Sequence, residues 1–303
     1  MTVRLLSKTL PDLETILEQY LAFLAYERNQ SPNTVRSYLQ DLALFFQHVQ
    51  DKPLVHVTSE DISDYLASMS RLGPATRRRR FFGLKAFFSW SIKQKGYLRK
   101  HPMENLDAPK GTKPNPRPIP PAEFEALMDQ VLKTKALSLR DQVIILLAAD
   151  TGRRIQEILS LTVEDLQHMR DYYRLVIRGK GGRYGTVDID PIDRAYKLFR
   201  KYLKETGYQS GPLFRSEKGS TAGQPLSYRA FKDQWDKLTE RYTIHQLRHT
   251  MGTRLVNDPN GGLYLAQKQL GHASPQSTQV YAQLYDETHR KQMLAVKRGR
   301  VNR

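Results

Sequence analysis

Apolar residues in the first third of the chain recur every three or four positions, which is the spacing of one face of an α-helix. The stretches that carry this pattern are 11–29, 31–46, 60–69 and 74–96. Ser31 and Pro32 open the second stretch in the form of an N-cap followed by proline at the first helical position. The pattern predicts a helical first part with four helices.

The second part of the chain combines helical spacing with one short β-type region. Tyr172–Ile177 and Thr186–Ile189 are rich in β-branched and aromatic residues, and the turn-rich segment RGKGGRYG lies between them. Helical spacing is found at 121–132, 140–149, 192–206, 228–238, 245–256, 263–270 and 275–294. The predicted fold class is therefore mainly α, with a small β-sheet or hairpin in the second part.

A proline-rich segment separates the two parts. DAPKGTKPNPRPIPP, from Asp107 to Pro121, contains six prolines. Such a segment cannot continue a helix and favours an extended chain. We therefore expect a helical first domain at 1–108, a linker at 109–120 and a second domain at 121–303.

The composition indicates a polyanionic partner. The chain has 303 residues, with 48 Lys and Arg against 31 Asp and Glu, and a formal net charge of +17. A chain this basic most often binds nucleic acid, and an anionic membrane surface is the second candidate. The longest apolar run, Val143–Ala149, is far shorter than the roughly 20 residues of a membrane-spanning helix. No cysteine is present, which excludes thiolate chemistry and Cys-ligated zinc and suits a cytoplasmic protein.

Four consecutive arginines lie near the start of the fourth predicted helix. A run of this kind is usually a solvated surface, and the alternative is a helix that faces a phosphate backbone. The candidate DNA-binding residues of this run are Arg77, Arg78, Arg79 and Arg80. The aromatic residues that follow are expected in the core rather than as platforms for base stacking; they are Phe81, Phe82, Phe87, Phe88 and Trp90.

The segment TGRRIQEILSL, from Thr151 to Leu161, places an arginine and a carboxylate on one helical face. Thr151 and Gly152 end the preceding apolar helix, and Arg154 and Glu157 are three residues apart in the next one. A carboxylate one turn away holds a guanidinium in one rotamer, with its fork toward a phosphate. An ordinary surface ion pair is the alternative.

Two further segments carry cations and imidazoles. Gly179–Arg183 reads GKGGR, which lacks the Ser or Thr of a phosphate-binding Walker loop; it predicts a hairpin tip that carries Lys180 toward a ligand, or a plain basic turn. In HQLRH, His245 and Arg248 share a helical face. His245 and His249 have the spacing of a zinc-binding pair, but no third ligand is evident, so we expect no metal.

The segment LGHASPQSTQVYAQLY contains His272, which at such a helix junction is usually structural, and two tyrosines that share one helical face, Tyr281 and Tyr285. Taken together, the motifs supply arginines, a lysine, histidines and a tyrosine, without a carboxylate cluster for magnesium. This set suits metal-free phosphoryl transfer, in which arginines neutralise charge and a tyrosine attacks. Attack on a DNA phosphodiester exchanges one phosphoester for another, so rejoining needs no ATP.

These motifs, in this order, resemble those of tyrosine recombinases of the phage-integrase and Xer type. TGRRIQEI is similar to the family's Thr-Gly-x-Arg-(Ile/Val)-x-Glu, GKGGR to its hairpin motif, HQLRHT to its His-x-Leu-Arg-His, and LGHASPQSTQVY to its Leu-Gly-His followed nine residues later by tyrosine. SPNTVRSYLQDLALFF and ATRRRRFFGLKAFFSW resemble its helices in the amino-terminal domain. Two positions depart from the family pattern: Arg153 stands where a smaller or apolar residue is usual, and Gln156 where serine is common.

The resemblance implies a role for each matching residue. Arg154 and Arg248 would hold the scissile phosphate with His272 as a further donor, and Tyr281 would attack to form a 3′-phosphotyrosine. The interval of nine residues from His272 selects Tyr281 over Tyr285.

Three other residues have implied roles in the same reaction. Lys180 would protonate the leaving 5′-hydroxyl, His245 would assist proton transfer, and Glu157 would orient the site. Neither of the departures, Arg153 and Gln156, falls on a position with a chemical role. No cofactor is implied.

The resemblance also implies an assembly. A SAM-like helical domain and a mixed catalytic domain would clamp duplex DNA, and four copies on two DNA sites would exchange strands through a Holliday junction, in the cytoplasm at the nucleoid. The basic tail Arg290–Arg303 would dock on a neighbouring copy. Whether a related recombinase or an accessory protein takes part stays open. Whether the reaction is integration or resolution stays open as well. The alternatives are a type IB topoisomerase that relaxes DNA as a monomer and a catalytically silent, sequence-specific DNA-binding protein.

Overall fold

The computed structural model describes residues 11–111, 116–179, 184–258, 260–272, 274 and 276–282. The chain divides into two compact units, Met1–Lys113 and Pro114–Arg303. The first unit is built of helices, and the second combines helices with a three-stranded sheet. The predicted fold class, mainly α with a small sheet, is confirmed. Within the described ranges, no helix has the length and apolar character needed to cross a membrane.

The first unit contains the four predicted helices. They are α1 (Leu13–Ala22, extended by a π-helical turn at Phe23–Glu27), α2 (Pro32–His48), α3 (Ser59–Ser68) and α4 (Pro74–Lys93). Ser31 caps α2 as predicted, because its Oγ accepts the Thr34 N–H at 3.2 Å and Pro32 holds the first helical position. Thr58 and Asp61 form a capping box that starts α3.

Aromatic side chains fill the core of the first unit. Phe45 of α2 meets Phe88 of α4 edge to face, with ring centroids 6.0 Å apart. Phe81, Phe87, Phe88 and Trp90 are buried, as predicted. The prediction was wrong for Phe82, which is 43% exposed, because its neighbour Phe81 takes the inward direction on the helix. The guanidinium of Arg78 lies 4.9 Å from the Phe82 ring centroid.

The arginine run at the start of α4 has partners inside the first unit. Both Arg79 and Arg80 form ion pairs with Asp41 of α2, whose carboxylate is buried. Arg78 donates to the Pro109 carbonyl at 2.9 Å, and the Nε of Arg77 is buried without a hydrogen-bond partner in the described part of the chain. Arg79 and Arg80 thus stabilise the packing of α4 on α2. DNA binding by these four arginines stays a prediction.

The second unit surrounds one apolar helix. Its helices are α5 (Pro121–Lys133), α6 (Leu139–Thr151), α7 (Ile155–Leu159), α8 (Arg194–Thr206), α9 (Tyr228–Leu238), α10 (Ile244–Asn257), α11 (Leu263–Leu270) and α12 (Gln276–Ala282). Residues Val143–Ala149 of α6 are all buried, and α6 packs against α5, α8 and α10. A helix that is apolar on every side belongs in the interior. The last predicted helix, at 275–294, is present as α12, and its part beyond Ala282 lies outside the described residues.

The sheet is antiparallel with the order β1–β2–β3, formed by β1 (Leu166–His168), β2 (Tyr173–Arg178) and β3 (Tyr184–Ile189). Leu175 of β2 pairs with Val187 of β3 and with Leu166 of β1. The predicted hairpin is present as β2 and β3, and its tip, residues 180–183, lies outside the described ranges. Strand β1 was not predicted from the sequence, since three residues are too short to show a period of two.

Replacing Asp41 with alanine is expected to lower the free energy of unfolding by about 2–3 kcal/mol, because the change leaves the guanidinium of Arg80 partly buried without its partner. Urea unfolding of the whole chain measures this loss. Asp129→Ala is the control, since Asp129 forms an exposed pair with Lys133 and such pairs contribute less than about 1 kcal/mol. A loss at Asp41 no larger than at Asp129 would contradict the structural role of the pair.

Candidate active site

The side chain of Arg248 joins the carboxyl ends of two helices to the middle of a third. Arg248 lies on α10, is 3% exposed, and donates from Nη1 to the carbonyls of Gly152 and Leu270, both at 2.9 Å. These carbonyls stand at the ends of α6 and α11, where the last turn has unpaired acceptors and favours a cation. The Nη2 atom is buried and has no hydrogen-bond partner in the described part of the chain. It therefore remains available for an anionic oxygen.

The end of α6 places two adjacent arginines in different environments. Gly152 ends α6 in the left-handed conformation, with φ of 64°. Arg154 follows as the N-cap of α7, and its Nη1 lies 2.9 Å from Glu157 Oε1. The predicted pairing of Arg154 and Glu157 is confirmed. The Arg154 side chain is half exposed, whereas Arg153 is buried, 5% exposed, and turns toward β3.

His272 follows the C-cap of α11 and is held by hydrogen bonds to both α11 and α12. Its backbone N–H donates to the Gln267 carbonyl at 3.0 Å, and its Nδ1 lies 2.8 Å from Thr278 Oγ1 on α12. Thr278 is 1% exposed, so this contact is fixed in the interior. With Nδ1 engaged by Thr278, Nε2 is the ring atom that remains for a ligand.

Tyr281 of α12 is packed beside this histidine. Its ring is 3% exposed and lies parallel to the His272 ring, with an interplanar angle of 2° and centroids 6.2 Å apart. A Cβ at Gly252 of α10 would lie 2.8 Å from Tyr281 Cζ, so the close approach of α12 to α10 depends on the missing side chain. The phenol is thereby held close to both α10 and His272.

His249 contacts the Tyr281 phenol directly. The distance from His249 Nδ1 to the Tyr281 hydroxyl is 3.2 Å, and the His245 ring meets the His249 ring edge to face at 4.6 Å. The sequence pattern indicates His249 only as half of a zinc-type pair with His245 and does not predict its contact with the Tyr281 phenol. The i,i+4 spacing of His245 and His249 was the signal for a shared face, but the position of Tyr281 opposite them needed the structure.

The site has an excess of positive charge in a partly dry environment. Burial, followed by the charge of Arg154, lowers the pKa of Arg248 to about 10. Burial lowers the pKa of His272 to about 4, with Arg248 as the next cause, and lowers that of His249 to about 4, with His245 as the next cause. Both rings are therefore neutral near pH 7.

Two further groups respond to the same environment. Desolvation, Arg248 and Arg154 lower the pKa of His245, although its ring is partly exposed. Burial raises the pKa of Tyr281, and the attraction of Arg248 and Arg154 opposes this rise. The phenol is thus protonated in the free protein and lies in a field that favours an anion.

The structure brings five of the six predicted catalytic residues into one neighbourhood. Arg154, Arg248, His245, His272 and Tyr281 interact electrostatically around the ends of α6 and α11. The sixth, Lys180, lies outside the described residues, as do Tyr285 and the basic tail Arg290–Arg303. In the ranges that the structure describes, no group of three or more His, Asp and Glu side chains could hold a metal ion.

Two family models match the chain. Residues 118–288 match the model described as "Phage integrase family", and residues 17–95 match "Phage integrase, N-terminal SAM-like domain". The tyrosine recombinase XerC of Roseiflexus castenholzii is 28% identical over 285 residues, which cover 90% of this chain and 90% of that protein.

Solved structures share the fold. The XerH site-specific recombinase bound to palindromic difH substrate in a post-cleavage complex aligns over 93% of this chain and 84% of its own, with a TM-score of 0.71 and 21% identity. A lambda integrase tetramer bound to a Holliday junction aligns over 94% of this chain and 82% of its own, with a TM-score of 0.69 and 19% identity.

Acidification from pH 7 to pH 5 is expected to destabilise the second unit through His249 and His272. Their pKa values are lowered from 6.5 to about 4, so the unfolded chain binds protons in this range that the folded chain excludes. Their contribution to stability is fully present above pH 6.5 and is lost as the pH falls toward 4. After a discount for solvent screening of these partly exposed rings, the loss is about 2 kcal/mol in total.

Urea unfolding at pH 5, 6 and 7 measures this dependence. The double variant His249→Gln, His272→Gln should lose less stability than the wild-type chain between pH 7 and pH 5. Equal slopes in the two proteins would refute the assignment of these two neutral histidines.

Proposed function

Because the chain belongs to the phage integrase family of tyrosine recombinases, enzymes that cut and rejoin DNA in site-specific recombination, we propose that Tyr281 is its nucleophile. The phenol oxygen attacks a DNA phosphodiester that is held by Arg154, Arg248 and His272. A covalent 3′-phosphotyrosine forms, and the strand is later rejoined by the reverse reaction.

The observation that carries this proposal is the surroundings of the Tyr281 hydroxyl. It lies 3.2 Å from His249 Nδ1, beside the parallel ring of His272, and in the field of Arg248, whose Nη2 is buried without a partner in the described part of the chain. A buried guanidinium nitrogen without an acceptor is unfavourable unless an anionic oxygen binds there. A phosphate oxygen supplies that acceptor and brings the phosphorus close to the phenol.

The proposed chemical step conserves both charge and the number of phosphoester bonds. The Tyr281 oxygen forms a bond to phosphorus, and the bond from phosphorus to the 5′-oxygen breaks. The phenol proton leaves to a neighbouring base, and the 5′-oxygen takes up a proton from Lys180. Arg154 and Arg248 neutralise the charge of the five-coordinate state, which is the largest single contribution in reactions of this type.

Arg154 is suited to this role by its pairing with Glu157. The carboxylate accepts from the Arg154 Nη1 at 2.9 Å and from its backbone N–H at 3.2 Å, so it fixes both the side chain and the start of α7. An orientation fixed before DNA binds lowers the entropy that is lost on binding. Glu157 thus acts as a positioning residue for Arg154.

The proposal extends to the assembly. Four copies act on two DNA sites and exchange strands through a Holliday junction, in the cytoplasm. The related lambda integrase, solved as a tetramer on such a junction, supports this part of the proposal by its similar fold. The net charge of +17 is in keeping with a large nucleic-acid surface.

The test is covalent capture on nicked duplexes with a randomised central sequence, so that the target site need not be specified in advance. After incubation and denaturation, DNA that stays attached to protein is recovered and sequenced. We expect the wild-type chain to enrich a common site, and Tyr281→Phe to reduce covalent DNA at least a thousandfold, because the variant has no nucleophilic oxygen.

The matched control removes the neighbouring hydroxyl. Tyr285→Phe should retain covalent capture within a few-fold of the wild-type level. Loss of capture in Tyr285→Phe with retention in Tyr281→Phe would transfer the role to Tyr285. Catalytic relaxation of supercoiled plasmid of unrelated sequence by the wild-type chain would favour the topoisomerase alternative.

A further inference from the structure

Arg153 is a buried cation that the proposed reaction does not use. It is 5% exposed, and its side chain makes one hydrogen bond in the described part of the chain, from Nη2 to the Thr186 carbonyl at 3.2 Å. Its Nε is buried with no partner in the same ranges. Burial lowers the pKa of Arg153; the charge of Glu157 opposes this shift, and the repulsion of Arg154 adds to it. A charge in this position is costly to the free protein.

One carboxylate offsets the charge of Arg153 only in part. Glu157 is the acidic group that acts on Arg153, but its two oxygens are engaged by the side chain and the backbone N–H of Arg154. Arg153 forms no ion pair with any carboxylate of the described residues. Buried charges in proteins are usually paired or bind a ligand, and among the described residues Arg153 has no carboxylate in direct contact.

Two glycines leave room for this guanidinium. A Cβ at Gly271 would overlap Arg153 Nη1, and a Cβ at Gly185 of β3 would lie 3.2 Å from Arg153 Nη2. The guanidinium of Arg153 therefore lies between Gly185 of β3 and Gly271. A side chain at Gly271 would close this space.

The guanidinium forms part of the wall of a cavity of about 610 Å³. The same wall contains His272 and Gly271, the β3 residue Thr186, and Lys268 of α11. A phosphodiester group fits this volume. The charged residues of its wall are Arg153, Lys268 and Glu157, beside His272, and the carboxylate of Glu157 is engaged by Arg154. The cavity thus lies next to His272, where the proposed reaction places the scissile phosphate.

We propose that Arg153 binds a second DNA phosphate, a neighbour of the scissile one, in the cavity between β3 and α11. This inference rests on the proposed function, because it takes the position of the scissile phosphate from the roles of Arg154, Arg248 and His272. The second phosphate supplies the anion that Arg153 lacks in the free protein. Its binding fixes the DNA strand on the hairpin side of the site, with Lys268 as the outer cation.

The first test measures DNA affinity against salt, in a Tyr281→Phe background that excludes cleavage. The probe is a pool of random-sequence duplexes of one length. Each phosphate contact contributes about 0.9 to the slope of log affinity against log salt. Arg153→Met should reduce that slope by about one, whereas Arg153→Lys, which retains the charge, should reduce it by less than half of that.

The second test identifies the phosphate. On the duplex recovered by covalent capture, single methylphosphonates neutralise one phosphate at a time near the cleavage point. One position beside the scissile phosphate should weaken binding of the parent chain about tenfold and leave binding of Arg153→Met unchanged. The same loss in both proteins at every position would overturn the proposal.

A stability measurement separates this role from a purely structural one. Removing an unpaired buried charge should leave the melting temperature of the free Arg153→Met chain unchanged or higher. A lower melting temperature with an unaltered salt slope would show that Arg153 serves packing alone and would overturn the proposal. Because the salt slope requires no cleavage, failure of the Tyr281 assignment in covalent capture is a separate outcome.

Discussion

The two hydrogen bonds from Arg248 Nη1 to helix-end carbonyls are the interaction on which the rest of the site depends. They hold the ends of α6 and α11 against α10 at a single buried point. Arg154 lies two residues after Gly152, and His272 lies two residues after Leu270. The same guanidinium therefore helps to position both side chains. A cation at the carboxyl ends of two helices is favourable, and this offsets part of its desolvation. Arg248 therefore contributes to folding and leaves one nitrogen for a ligand.

The site contains several arginines, and its histidines His249 and His272 are neutral near pH 7. Burial lowers the pKa of His272, and Arg248, Arg154 and Arg153 add to this shift. Burial likewise lowers the pKa of His249, followed by His245 and Arg248. An entering phosphate reverses these effects, because an anion favours the charged form of every neighbouring base. Under the proposed function, binding of a DNA phosphate therefore favours protonation of these histidines.

Local sequence patterns predicted those parts of the site that depend on local structure. The end of α6 at Thr151 and Gly152, the pairing of Arg154 with Glu157, and the shared face of His245 and Arg248 all follow from helical spacing. The contact between His249 and Tyr281 does not, because it depends on how α12 lies against α10. The burial of Arg153 could not be predicted either: it requires the absence of side chains at Gly185 and Gly271, far away in sequence.

The adjacent residues Arg153 and Arg154 illustrate why such sites escape simple rules. One guanidinium is half exposed and paired with Glu157; the other is buried and has no carboxylate partner in the described part of the chain. A sequence selected for stability alone would place an apolar residue at position 153, since that removes a desolvated charge at little cost in packing. Positions that violate local rules without a compensating contact are concentrated at functional sites. Under the two proposals, three features have one explanation: the charge at Arg153, the Arg248 Nη2 without a partner among the described residues, and the neutral histidines. The phosphates of a DNA substrate would complete the electrostatic balance of this site.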